Sequence, residues 1–230
     1  NINTQRKIKM DRITFGLLGA GGFGREVMPF VRSSVAKSLL IPESYIDVYF
    51  VETWQPKERT VNDYTVISLD EFIKISGKKY FNVAVGNGED RAAIVTRVSS
   101  NAESLTLFSP QTIILDCNNI GAGSIFCPNT MVTSNAKIGK FFQCNIYAYV
   151  AHDCIIGDFV TFAPGVRCNG RVHIEDYAYI GTNAVIREGT SDKPLRIGKG
   201  SVVGMGAVVT KDVPAGATVV GNPARAMEKR

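Results

Sequence analysis

Residues 138–162 read IGKFFQCNIYAYVAHDCIIGDFVTF, and the rhythm of this stretch decides the fold. Ile138, Cys144, Val150, Ile156 and Phe162 stand six apart, and all are apolar. The same step continues back through Val132, Phe126, Ile120, Ile114 and Phe108, and forward through Cys168, Ile174, Ile180 and Ile186. In a chain that is 45% hydrophobic, chance gives such a run a probability on the order of 10⁻⁵, or ~10⁻⁴ once the choice of phase is allowed for. Four residues after most anchors lies a small or β-branched residue, such as Ala136, Ala148, Cys154 or Val160, with Asn118 and Phe142 as exceptions. The residue just after an anchor is often Gly, Ala or Asn, which suits a tight corner. A six-residue period of this kind marks a solenoid of short parallel strands, a β-helix, in which three hexads close one triangular coil. With the later anchors Ile197, Val203 and Val209, the repeat holds between five and six coils.

The rhythm breaks once. After Ile186 the next anchors, Ile197, Val203 and Val209, arrive five residues late. The intervening REGTSDKPLR (187–196) has turn chemistry and reads as a loop protruding from a coil edge. A solenoid needs its ends covered. The segment 215–230 is expected to cap one end and to finish in a short helix, while the N-terminal half caps the other.

That N-terminal half has a different pattern. ITFGLL (13–18) reads as a buried strand, GAGGFG (19–24) breaks it, and REVMPFVRSSV (25–35) reads as a helix in which Pro29 predicts a kink or a later start. YIDVYFVE (45–52), YTVISL (64–69) and YFNVAV (80–85) are further strands, and GEDRAAIVTRV (88–98) is a further helix. Ser68 and Glu71 have capping-box spacing ahead of one more short helix. Strands alternating with helices predict a small, Rossmann-like parallel sheet covered by helices. The chain thus divides into a tail (1–12), an α/β domain (13–107), the solenoid (108–214) and the cap (215–230).

Gly19, Gly21, Gly22, Phe23 and Gly24 form a G-x-G-x-x-G turn between strand and helix, where backbone N–H groups can hold a phosphate. Glu52, ending the second strand, is placed to meet a ribose or a base. Read alone the motif would suggest NAD, but no separate catalytic domain accompanies it. The net charge of +5 is small and scattered, which argues against a nucleic-acid partner. Cys117, Cys127, Cys144, Cys154 and Cys168 have no C-x-x-C spacing, so they read as reduced thiols of a cytoplasmic protein. No apolar run approaches the ~18–20 residues that span a bilayer. The basic opening NINTQRKIKM precedes only a short strand, so neither a signal peptide nor membrane insertion is expected.

The chain has two histidines. His152 and Asp153 are the third and fourth residues of the hexad that starts at Val150. Val150 and Cys154 take the inward slots, so the pair points outward. On the residues alone, a solvated corner and an acid–base pair are equally open. Gly170 lies one coil later and stacks close by. His173 reads as an exposed side chain without a catalytic part.

IGDFVTFAPGVRCNGRVHIEDYAYIGTNAVI (156–186) and VVGMGAVVTKDVPAGATVVGNPAR (202–225) together resemble the left-handed β-helix acyltransferases. With GLLGAGGFGREV (16–27) and FNVAVGNGEDR (81–91) ahead of the coils, the chain resembles the NeuD/PglD family of sugar acetyltransferases over 13–225. The resemblance implies left-handed coils, a homotrimer, acetyl-CoA lying between neighbouring solenoids, and a nucleotide-linked amino sugar held by the α/β half. It implies N-acetylation of the sugar's 4-amino group, for surface glycans. His152 would be the general base and Asp153 its orienting carboxylate, Gly170 would offer an N–H to the acetyl oxygen, and Asn145 would lie near the site. Gly204, Gly206 and Ala207 would let CoA pass close to the backbone, with Lys211 or Arg225 on its phosphates. Gly86 and Asn87, in GNGEDR, would form a second wall of the nucleotide pocket. Relatives often carry His where this chain has Phe23, and paired aspartates where it has Glu52–Thr53.

The chemistry suits such a pair, because attack on a thioester needs a neutral amine and a base to take its proton, a step worth ~10²–10⁴ in rate. No covalent acetyl-enzyme and no metal are required. An O-acetyltransferase acting on a sialic-acid type of sugar is the nearest alternative, and a non-catalytic nucleotide-sugar scaffold is a second. A zinc carbonic anhydrase on the same solenoid would need three histidine ligands.

Overall fold

The computed structural model describes residues 11–227. The basic opening, with the signal-peptide expectation that rests on it, and the end of the C-terminal cap lie outside these residues.

The α/β half is built on a central strand, β1 (Ile13–Leu18), every residue of which is buried. It lies between β2 (Ile46–Glu52) and a later strand, Lys79–Val83, in parallel register with both. Two shorter strands, β3 (Thr60–Val61) and β4 (Tyr64–Ser68), extend the β2 side; Lys79–Val83 is β5, and β6 (Glu103–Ser104) extends the other. The order is β3-β4-β2-β1-β5-β6, parallel except for the β3–β4 hairpin. The order of strands turns back between β1 and β5. The loops after those two strands therefore flank the switch point at the carboxyl edge of the sheet, where open α/β sheets bind ligands.

The first helix, α1, spans Gly22–Leu39 and runs through Pro29, so it begins earlier than its sequence suggests. Its buried face, including Val27, Met28, Val31 and Val35, packs with Phe15, Leu17 and Phe50 of the sheet. That burial offsets the ~3 kcal/mol that an interior proline costs. Helix α2 (Leu69–Lys74) carries the expected capping box: Ser68 Oγ accepts from Glu71 N at 3.2 Å, and Ser68 N donates to the Glu71 carboxylate at 2.7 Å. The Ser68 N–H, then Arg59, hold the Glu71 carboxyl down at about 2. The α/β half is completed by α3 (Gly88–Val98).

From Leu107 onward the chain winds as a triangular prism. Strands of two or three residues recur every eighteen positions up to Ile186, so that Ile125–Phe126 pairs with Gln143–Cys144 and that in turn with Thr161–Phe162. Three parallel sheets result, one for each face. Phe126, Cys144, Val150, Phe162 and Ile180 fill the interior at 0% exposure, as the six-residue step requires. Phe142, an exception in the pattern, also turns inward and meets Phe126 and Phe162 edge-on at 5.7 and 5.0 Å. The sharp corner falls three residues after the anchor rather than one, where Phe141, Tyr147, Asp153, Phe159 and Tyr177 adopt left-handed backbone. The glycines just after anchors answer a different need. A Cβ on Gly139 would lie 2.6 Å from the backbone of Gly157 in the next coil.

One face of the prism carries the α/β half. Gln143 Nε2 donates to Val83 O at 2.8 Å, and Thr161 Oγ1 to Gly86 O at 2.7 Å. Arg91, fully buried, donates to Val85 O, Phe141 O and Phe159 O at 2.6, 3.0 and 2.7 Å. Burial lowers its guanidinium to about 9, which leaves it charged at neutral pH, with carbonyl dipoles standing in for a counter-ion.

The end of the solenoid departs from expectation. Leu195–Ile197 is already a strand, paired with Val172–Ile174, so the protruding loop ends at Pro194. The coil resumes as soon as Leu195 can turn inward, where it is 3% exposed. The cap is also extended rather than helical as far as it is described. Thr218–Val220 adds in parallel to Val202–Val203, and Arg225–Ala226 folds back against it, which pairs the open edge of the last coil. His173 lies in a strand and is half-buried rather than exposed; that burial, then Arg196, lowers its pKa.

Candidate active site

His152 and Asp153 occupy the corner between Tyr149–Val150 and Ile155–Ile156. Val150 and Cys154 are fully buried on either side, while the pair keeps 43% and 41% of its side-chain surface exposed. The core therefore makes no demand on these two positions. His152 Nδ1 lies 2.9 Å from Asp153 Oδ2. An ionised carboxylate only accepts, so Nδ1 carries the proton and Nε2 presents its lone pair. The hydrogen bond from His152, with Arg171 nearby, keeps the Asp153 carboxyl below its usual range.

Gly170 lies directly over the imidazole. A Cβ there would sit 2.5 Å from His152 Cε1 and 2.6 Å from Nε2, so only glycine leaves room for the ring. Gly170 is buried, and its N–H has no acceptor among the described residues. Asn145 is placed differently: its side chain donates to Phe162 O at 2.8 Å, stitching one coil to the next at another corner.

Two residues that sequence reading passed over complete the cluster. Arg171 Nη1 donates to Glu188 Oε1 at 2.7 Å, its Nη2 is 3.7 Å from Asp153, and Glu188 Oε1 is 3.7 Å from His152 Nε2. The signal was present in the eighteen-residue stacking, which places 152, 170 and 188 in one column and 153 and 171 in the next.

The glycine turn is tightly constrained on one side and open on the other. Gly19 has a φ of 102°, and a Cβ on Gly24 would lie 1.9 Å from Gly19 O, so strand and helix touch at that point. Around Gly21 and Gly22 there is open space at the start of α1, and Phe23 beside them is half-buried. Glu52 accepts from Ala20 N at 3.0 Å, so one of its oxygens steadies the loop, and the residue borders a hollow of about 450 Å³ with Trp54 and Lys57. Gly86 O is held by Thr161, and Asn87 caps α3 by accepting from Asp90 N at 3.0 Å.

In the last coils, Gly204 backs against Val220 and Gly206 is open to solvent. Ala207 is turned inward. Its side chain points into the core at 0% exposure, because it holds the slot four residues after the anchor Val203. Lys211 and Arg225 are exposed, and Lys211 shares a hollow of about 430 Å³ with Arg187 and Lys193.

Among the described residues no helix is long and apolar enough to cross a membrane, and no group of acidic, histidine and cysteine side chains is arranged to hold a metal. Cys127, Cys144, Cys154 and Cys168 are buried, and burial raises the Cys127 thiol to about 12 and pushes Cys144 well up. Both shifts disfavour the thiolate, the nucleophilic form.

No protein-family model matches the chain. Curated relatives do: the chain is 45% identical over 217 residues to GDP-perosamine N-acetyltransferase of Escherichia coli O157:H7, covering 94% of this chain and 96% of the other. The chain belongs to the NeuD/PglD-type family of sugar acyltransferases. It is an acetyl-CoA-dependent sugar N-acetyltransferase. Among solved structures of this type, WeeI from Acinetobacter baumannii AYE is 51% identical with a TM-score of 0.86, covering 94% of this chain and all of that one. The acetyltransferase domain of PglB from Neisseria gonorrhoeae FA1090, solved with acetyl coenzyme A, is 27% identical with a TM-score of 0.79, covering 95% of this chain and 100% of that one.

Proposed function

We propose that this chain acetylates the 4-amino group of a nucleotide-linked amino-deoxysugar, with His152 as general base oriented by Asp153. The observation that carries the reading is the Nδ1–Asp153 bond, which leaves Nε2 as an open lone pair over Gly170. His152 Nε2 takes the proton as the amine nitrogen adds to the thioester carbonyl. Asp153 stabilises the imidazolium that forms. The free N–H of Gly170 donates to the carbonyl oxygen as it gains charge. His152 then returns the proton to the departing thiol, so that amide and free CoA are the products.

The nucleotide lies, on this reading, in the crevice of a Rossmann-like domain (13–107), against Gly19, Gly21, Gly22, Phe23, Gly24, Glu52, Gly86 and Asn87. Acetyl-CoA lies along the last coils of a left-handed solenoid (108–214), past Gly204 and Gly206 and near Lys211 and Arg225. GDP is the nucleotide to test first, since the relative at 45% identity is named for GDP-perosamine.

Topology supports a homotrimer. The α/β half sits on the face formed by strands such as Gln143–Cys144 and Thr161–Phe162. His152 stands on the corner between the other two faces, opposite that half. One chain alone therefore keeps its nucleotide crevice away from its own base, and a neighbouring subunit would bring the two together. We place the enzyme in the cytoplasm, where acetyl-CoA and nucleotide sugars are made.

The test is a free-thiol assay with acetyl-CoA and UDP-, GDP- or dTDP-linked sugars carrying an amine or a hydroxyl at C4. Thiol release with the GDP-linked amine alone supports the reading. Release with hydroxyl acceptors in its place would make the protein an O-acetyltransferase.

A further inference from the structure

The one break in the hexad rhythm falls beside His152. Glu188 keeps its place in the column above Gly170, and the loop leaves the solenoid immediately after it. Gly189 N donates to Gly170 O at 3.0 Å and Leu195 N to Arg171 O at 3.2 Å, so both ends of the loop are tied to the site. A Cβ on Gly189 would lie 2.3 Å from Arg171 O, so the chain passes close to the coil below. Arg171 then holds the Glu188 carboxylate at 2.7 Å, with Oε1 3.7 Å from His152 Nε2.

At 3.7 Å, with the histidine proton on Nδ1, these two atoms face each other as acceptors with no proton between them. A group that donates to both resolves this. With each bond near 2.9 Å, acceptors 3.7 Å apart subtend roughly 80° at a shared donor nitrogen. That is narrower than an amine's H–N–H angle, by an amount that modest bending of both bonds absorbs.

We propose that Glu188, positioned by Arg171, is the second acceptor for the attacking nitrogen and sets the preference for amine over hydroxyl. The proposal rests on the His152 reading above. A primary amine brings two N–H bonds and a lone pair: one hydrogen goes to Nε2, the other to Glu188, and the lone pair aims at the thioester carbon. A hydroxyl brings one hydrogen, which the base takes, and leaves Glu188 against oxygen lone pairs. An unpaired acceptor of this kind is what makes polar sites discriminate strongly between isosteric substrates. Glu188 takes no proton and forms no covalent bond in the step.

The experiment compares wild type, Glu188→Ala and Glu188→Gln, the last keeping the size of the side chain. Kd values are measured for GDP-perosamine and for its 4-hydroxy counterpart with CoA present, and kcat/KM for the amine. We expect Glu188→Ala to weaken the amine ligand about tenfold to a hundredfold and the hydroxy ligand far less. Glu188→Gln, still able to accept, falls between. If both ligands weaken by the same factor, or neither changes, the proposal is overturned and Glu188 merely secures the loop. His152→Ala in the same series reports on the other reading. Turnover retained in that variant removes the general base, whichever way the Glu188 ratios fall.

Discussion

The glycine turn of the α/β half and the His152 corner of the solenoid offer ligands two different kinds of chemistry. At residues 19–24 the groups offered to a nucleotide under the proposed function are backbone, exposed because Gly21 and Gly22 carry no side chain and because Gly24 brings helix and strand into contact. Substitution there disturbs fold and binding together. At residues 152 and 153 the groups proposed to react are side chains on a corner whose packing is already satisfied by Val150 and Cys154. Substitution there should separate chemistry from stability. A repeat of identical corners is thus a convenient carrier for catalysis, since each corner is free to vary while the inward residues hold the prism.

That contrast can be broken by experiment. The largest effect is expected for His152→Ala, which should lower kcat by about 10²–10⁴ while leaving the thermal midpoint within a degree or two of wild type; a large drop in the midpoint would return His152 to a structural role. Phe162→Ala should do the opposite. It empties an interior site packed against Phe142, costing about 3–5 kcal/mol in chemical denaturation, with kcat per folded molecule little changed. Gly170→Ala lies between the two. Its Cβ would displace the imidazole, so activity should fall about tenfold to a hundredfold with under 1 kcal/mol lost in stability, and equal activity would show that the ring does not need this floor.

The smallest effect belongs to the capping box of α2. Glu71 titrates at about 2 in the folded chain against an ordinary 4.5. Its folded pKa is depressed, so its contribution is complete above about 4.5 and is lost as the pH falls toward 2. An NMR titration of the Glu71 carboxyl should show a midpoint near 2; a midpoint near 4.5 would mean the cap is not formed in solution.

Much of this was legible in the chain itself. The six-residue step named the inward residues because each coil has one slot per face that water cannot reach, and Phe126, Cys144 and Val150 all lie there. The capping box of α2 was equally plain, being local. Pro29 misled because propensity acts on one residue, while the buried face of α1 acts through several. Ala207 fills an interior slot with its side chain, and small residues serve a cofactor groove and an interior slot alike, which the sequence does not tell apart. A short helix at the end of the cap is expected from the sequence, while its described residues pair the edge of the last coil.

What the sequence determined by itself is the solenoid, the glycine turn, and the freedom of His152 and Asp153 to face outward, since each follows from a short period or a local motif. What only the tertiary structure decided is which distant residues meet. Glu188 and Arg171 reach His152 by stacking across coils, and the α/β half takes the face opposite that corner because Gln143, Thr161 and Arg91 bond it there. Burial of one residue in six is enough to specify a coil. The company a corner keeps depends on how coils and domains are superposed, and that is set by contacts between residues far apart in the chain.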